Sequence, residues 1–183
     1  MFMLYALLIG LAVGLLVGGR LDGVAALRVR WAPLLVGGLV AQVVLFSEPV
    51  TARVGELGPL LYVASTLAAA VAIFRNWAVP GMSLVAAGAS CNLVAIIANG
   101  GYMPASPEAL AALYRVEAAG YSNSALVPDP ALPWLTDMFA MPAWLPGANI
   151  FSVGDVLIVA GIATVIALAM RRHPAGTRGA PAQ

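Results

Sequence analysis

Lysine is absent from this chain of 183 residues and cysteine and histidine occur once each, and the last two shortages each close off a class of chemistry. The single thiol, Cys91, sits within an apolar run, so neither an intrachain disulfide nor a cysteine-ligated metal can form. The lone His173 cannot build a metal site either, and no metal or cofactor is expected. All nine basic residues are arginine, which reads as composition bias as much as function, and a net charge of +1 argues against nucleic acid, which needs a basic surface to neutralise its phosphates. Charged residues make up 9% of the chain, against about a quarter in soluble domains. No complete catalytic motif and no internal repeat is present.

Apolar sequence fills the space: 62% of residues are hydrophobic, and the mean hydropathy is +0.95. It is gathered into runs over 2–18, 33–46, 60–74, 82–98 and 156–170. With their flanks these reach the roughly 20 residues that a helix needs to cross a bilayer. The expected fold is all-α: an integral membrane bundle of about five transmembrane helices, one domain over 1–172, with an outer loop at about 99–151 carrying short interfacial helices. No strand is expected.

Arg20, Arg28, Arg30, Arg75, Arg171, Arg172 and Arg178 fall on one side of such a bundle, and only Arg53 and Arg115 on the other. The arginine-rich side belongs in the cytoplasm, which puts the N-terminus outside and the C-terminus inside a bacterial cytoplasmic membrane. The first run lacks a basic leader, its charges follow it, and it should remain as a helix. Gly10, Gly14 and Gly18 recur every fourth residue there and read as a packing surface before anything functional. Residues 20–30 alternate apolar and charged side chains, as a segment lying on the inner interface with arginine heads toward anionic lipid would. Residues 173–183 read as a flexible cytoplasmic tail.

Within the outer loop, Ser106-Pro107-Glu108 has the pattern of a helix N-terminus and Gly120 that of its stop, with Leu110, Leu113, Tyr114 and Glu117 on one face. Trp134, Leu135, Met138, Phe139, Met141 and Trp144, broken by Pro133, Pro142 and Pro146, should rest on the bilayer surface and cap the mouth of the bundle.

Ionisable residues within spans are candidate functional groups by default. Asp155 is the acidic residue so placed, yet Ser152-Val153-Gly154-Asp155 also fits a capping box, where a carboxylate is favoured by the helix dipole. Asn92 and Asn99 lie seven apart on one helix face, Asn99 at the expected depth of Asp155. Asn99-Gly100-Gly101-Tyr102-Met103-Pro104 reads first as a helix stop and second as a binding element. Gln42, Ser65, Thr66 and Ser90 can satisfy themselves within or between helices. Asp129 reads as a solvated turn. Asp137 lies inside the aromatic segment, as a wet loop carboxylate or as a partner for Asp155 sharing one proton with it.

Two stretches carry a resemblance. Asn99-Gly100-Gly101-Tyr102-Met103-Pro104 and Ile150-Phe151-Ser152-Val153-Gly154-Asp155-Val156-Leu157-Ile158, preceded by Gly19-Arg20-Leu21 to Arg30-Trp31, resemble a family of small bacterial membrane proteins defined as a domain of unknown function. The likeness runs to about Met170 and implies a multi-pass protein without implying a reaction. Phe151-Ser152-Val153-Gly154-Asp155 is also similar to the Phe-Asn-Val-Ala-Asp that opens the last span of lipoprotein signal peptidases, which would map a catalytic aspartate onto Asp155. That family's other aspartate stands in Gly-Asn-Leu-Ile-Asp-Arg; Cys91-Asn92-Leu93-Val94-Ala95-Ile96 has alanine there.

Two functions compete. The first is a non-enzymatic accessory or ligand-binding protein, in which Asn92, Asn99, Tyr102 and Ser152 are the binding candidates and the partners are the lipid bilayer, another membrane protein or a second copy. The second is a membrane aspartyl hydrolase with Asp155 and Asp137 as its catalytic pair. A solute-coupled transporter ranks behind both, since no duplicated half is visible.

Overall fold

The computed structural model describes residues 2–113 and 124–172. The expected helical face at Tyr114 and Glu117, the stop at Gly120 and the tail from 173 lie outside the described residues. The fold is mostly helical: α1 Phe2–Leu16, α2 Asp22–Ala25, α3 Ala32–Leu45, α4 Glu48–Val54, α5 Leu57–Arg75, α6 Met82–Ala98, α7 Pro107–Ala112 and α8 Val153–Arg171, with one 3-10 turn at Pro133–Leu135.

By length and composition, α5 and α8 can cross a membrane. α3 with α4 makes a third candidate if that pair, bent by 81°, is one span, while α1 and α6 are apolar but shorter. The bend has a local cause. The Ser47 hydroxyl bonds back to the Val44 carbonyl at 2.6 Å, and Pro49 sits in the first turn of α4, where a missing N–H costs nothing.

The five long helices stand in a row, α1 beside α8, α8 beside α6, α6 beside α5, and α5 beside α3. Their close contacts fix the directions. Gly10 and Gly14 of α1 meet Ala163, Ile166 and Met170, so α1 runs parallel to α8, whereas Gly81, Gly88 and Gly161 pair α6 with α8 in opposite directions. Gly38 of α3 packs on Ser65 and Ala69 of α5, and Gln42 donates to the Thr66 hydroxyl at 3.1 Å. Gly10 and Gly14 therefore serve as a packing surface, as their spacing implied, whereas Gly18 lies beyond α1 with a positive φ and nothing within 4 Å of where a side chain would stand. Ile73, Met82, Val85, Ala86, Ala89, Ile158 and Val165 form the core between α5, α6 and α8. The flanking helices leave apolar side chains uncovered, among them Leu8 and Val43.

The described parts of the loop, 99–113 and 124–151, cover one end of the row. α7 begins as its sequence implies, with the Ser106 hydroxyl accepting from the Ala109 N–H at 3.0 Å, and Leu110 and Leu113 pack on Ala105, Ala109 and Ile150. The expectation of no strand is corrected. Met103–Pro104 (β1) pairs in parallel with Ser124–Ala125 (β2), and Phe139–Ala140 (β3) pairs antiparallel with Ile150–Phe151 (β4). Strands of two residues carry no alternation to read; they exist because backbone groups inside a covered loop need partners. Trp134 and Trp144 stay exposed.

The α6–α8 contact depends on missing side chains. A methyl group on Gly161 would lie 2.6 Å from the Val85 nitrogen and 2.9 Å from the Gly81 oxygen, both backbone atoms. Gly161→Ala should cost about 1–3 kcal/mol, read as a lowered thermal unfolding midpoint in detergent. Gly37→Ala, on α3 with nothing within 4 Å of the new methyl, should be neutral or stabilising by up to about 1 kcal/mol.

Candidate functional site

Where α8 begins, its first N–H groups have no partner in their own helix, and the sequence supplies the remedy. The Ser152 hydroxyl accepts from the Asp155 N–H at 3.1 Å, and the Asp155 Oδ2 accepts from the Ser152 N–H at 3.0 Å, the reciprocal capping box. One carboxylate oxygen and the hydroxyl hydrogen are then left over. Asn92 of α6 takes both. Its Nδ2 donates to the Asp155 Oδ1 at 2.9 Å, and its Oδ1 accepts from the Ser152 hydroxyl at 2.9 Å. Gly154 lets the two helices approach closely enough, since a side chain there would collide with the Asn92 amide. Ser152 is fully buried.

Three of the candidate residues thus meet: Asn92, Ser152 and Asp155. The others do not join them. Because α6 and α8 run antiparallel with Gly88 against Gly154, it is Asn92, not Asn99, that reaches the level of Asp155; Asn99 lies two turns farther along. There the helix-stop reading holds, with the Gly100 N–H bonding to the Ile97 carbonyl at 3.2 Å and the Gly101 N–H to the Ile96 carbonyl at 2.8 Å. Both glycines have positive φ, the left-handed form such a stop requires. The Asn99 amide reaches into the loop, donating to the Ala131 carbonyl at 2.9 Å and accepting from the Ala131 N–H at 2.8 Å. Tyr102 packs at the edge of the cluster formed by Leu45, Tyr62, Ala95, Ile96 and Met103.

Asp137 is 6% exposed, unlike a wet loop carboxylate. Its N–H donates to the Pro104 carbonyl at 2.9 Å and its carbonyl accepts from the Ser106 N–H at 3.0 Å, which stitches the aromatic segment to the strand at Met103. No hydrogen bond joins Asp137 to Asp155 among the described residues. Ala95, at the position of the signal peptidases' other aspartate, is fully buried in the apolar core.

Asn76 is a polar anchor that sequence reading missed. It is 4% exposed, its Nδ2 donates to the carbonyls of Arg30 and Ala72 at 2.7 Å, and its Oδ1 accepts from the Arg30 N–H at 2.7 Å. An asparagine directly after α5 was the available signal; its partner 46 residues away was not readable.

Asn92→Ala would strand a buried hydroxyl and a carboxylate oxygen, so it should cost about 1–3 kcal/mol of stability. Asn99→Ala should cost less and instead speed amide exchange around Ala131, a contrast that hydrogen–deuterium exchange with thermal melts can read.

No curated protein and no solved structure matches the chain. A family match does extend over residues 26–167 and takes in both quoted stretches and every candidate residue from Asn92 to Asp155. The chain belongs to DUF5317, a family of unknown function.

Proposed function

We propose that the protein is a multi-pass protein of a bacterial cytoplasmic membrane, non-enzymatic, acting as an accessory subunit or ligand binder, with its Asn92–Ser152–Asp155 cluster serving to lock two helices. The observation that carries this reading is the occupancy of the Asp155 carboxylate: one oxygen takes the Ser152 N–H and the other takes the Asn92 amide. A carboxylate oriented at both oxygens, by its own helix N-terminus and by the amide of the neighbouring helix, is placed as a cap and a tether.

Five spans are supported by the reversal of direction between α6 and α8, by the shared direction of α1 and α8 that an odd count requires, and by the uncovered apolar faces of α1 and α3. α6, at 17 residues, reaches the lower limit for crossing, roughly 17 residues. The arginine asymmetry favours the N-terminus outside. The hydrolase alternative keeps one point in its favour, the burial of Asp137 in the loop that covers this end.

Two measurements test the reading. With Cys91 replaced by alanine, a cysteine at Trp144 should react with a membrane-impermeant maleimide in intact cells, and one at Trp77 only after the membrane is opened; the reverse result overturns the orientation. Asp155→Asn and Asp137→Asn then separate lock from catalyst by the sign of their effect on stability. Acidic pairs poised for catalysis repel, so neutralising one stabilises the fold. A capping carboxylate behaves oppositely, and Asp155→Asn should lower the unfolding midpoint by about 2–4 °C for each 1 kcal/mol lost. A rise in midpoint with both variants would revive the hydrolase.

A further inference from the structure

At the end of the row opposite the large loop, α2, the 76–81 turn and the last turns of α8 enclose an open groove of about 410 Å³. That lies within the range of small-ligand sites, about 300–1,000 Å³. Its floor is apolar, with Leu27, Val79, Val165 and Leu168, and two arginines, Arg28 and Arg172, line the same space.

The groove is built rigidly from both sides. Gly23 presses against the Ala169 backbone, leaving no room for a side chain, and the Arg20 N–H donates to the Met170 carbonyl at 2.8 Å. Seven residues beyond Gly23, Asn76 holds both the N–H and the carbonyl of Arg30. The segment carrying Arg28 is thus pinned at each end.

Charge is unbalanced here. The loops of this end contain one side-chain carboxylate, Asp22, and Arg20 takes it at 3.1 Å. Among the described residues neither Arg28 nor Arg172 has a carboxylate partner. The C-terminus of α8 and the N-terminus of α6 meet here with opposed dipoles, so the field in the groove comes chiefly from the two guanidiniums.

We propose that this groove is a binding site for an anionic phospholipid, with the phosphate held between Arg28 and Arg172 and the upper acyl chain laid on Leu27, Val79, Val165 and Leu168. An apolar floor beneath a doubly cationic rim matches that amphiphile and neither a soluble anion nor a neutral lipid. The site rests on the membrane reading above and fails separately from it.

The test uses the full chain purified in a neutral detergent, with thermal stabilisation titrated by dioleoyl phosphatidylglycerol, dioleoyl phosphatidylcholine and glycerol phosphate. Phosphatidylglycerol alone should stabilise at low concentration. Its apparent affinity should fall about fivefold for Arg28→Gln or Arg172→Gln and about thirtyfold for both. Arg53→Gln, on α4 and outside the groove, should leave the affinity unchanged, and an unaltered melt without lipid shows that the double variant folds. Equal responses to the two lipids, an equal response to glycerol phosphate, or an unchanged affinity in the double variant would each overturn the site. Release of the protein from membranes by alkaline carbonate would overturn the membrane reading itself.

Discussion

The backbone-to-backbone approach of α6 and α8 is the constraint on which the remaining structure depends. Gly81, Gly88, Gly154 and Gly161 bring two helices so close that a methyl group at any of the four would meet main-chain or asparagine atoms. Close packing and interhelical hydrogen bonds hold these two apolar helices in one register. Here the two come together: the glycine contact places the Asn92 amide 2.9 Å from both the Ser152 hydroxyl and the Asp155 carboxylate. α8 then presents its other side to α1, and α6 its other side to α5.

At three places in this frame asparagine joins segments far apart in the chain. An amide carries a donor and an acceptor side by side, and each of Asn76, Asn92 and Asn99 uses both against a complementary pair. Asn76 and Asn99 each hold the N–H and carbonyl of one distant residue, Arg30 and Ala131, at opposite ends of the row. Away from water, an unpaired backbone group is costly, so these contacts let loops lie against the bundle without forming long strands. Among the described residues no buried side-chain nitrogen or oxygen lacks a partner.

The two ends of the row differ in chemistry as well as in shape. One is roofed by residues 99–113 and 124–151, with the exposed Trp134 and Trp144 and a bond from the Tyr5 hydroxyl to the Pro146 carbonyl that ties α1 to them. The other carries Arg20, Arg28, Arg30, Arg75, Arg171 and Arg172 around short turns. The roof owes its cohesion to β1 through β4 and to Asp137, whose backbone joins two pieces of loop.

What the sequence determined by itself is local. The apolar runs marked the long helices, Ser152 to Asp155 and Ser106 to Pro107 marked helix starts, and Asn99-Gly100-Gly101 marked a stop, because caps and stops are settled by bonds between residues three to five apart. The break between α3 and α4, the row order, and the pairing of Asn92 with a cap 60 residues away were decided only by the tertiary structure. These helices are apolar on nearly every face, so their residues do not say which face meets which neighbour. Only packing at the glycines sets the register that makes Asn92 rather than Asn99 the partner of Asp155.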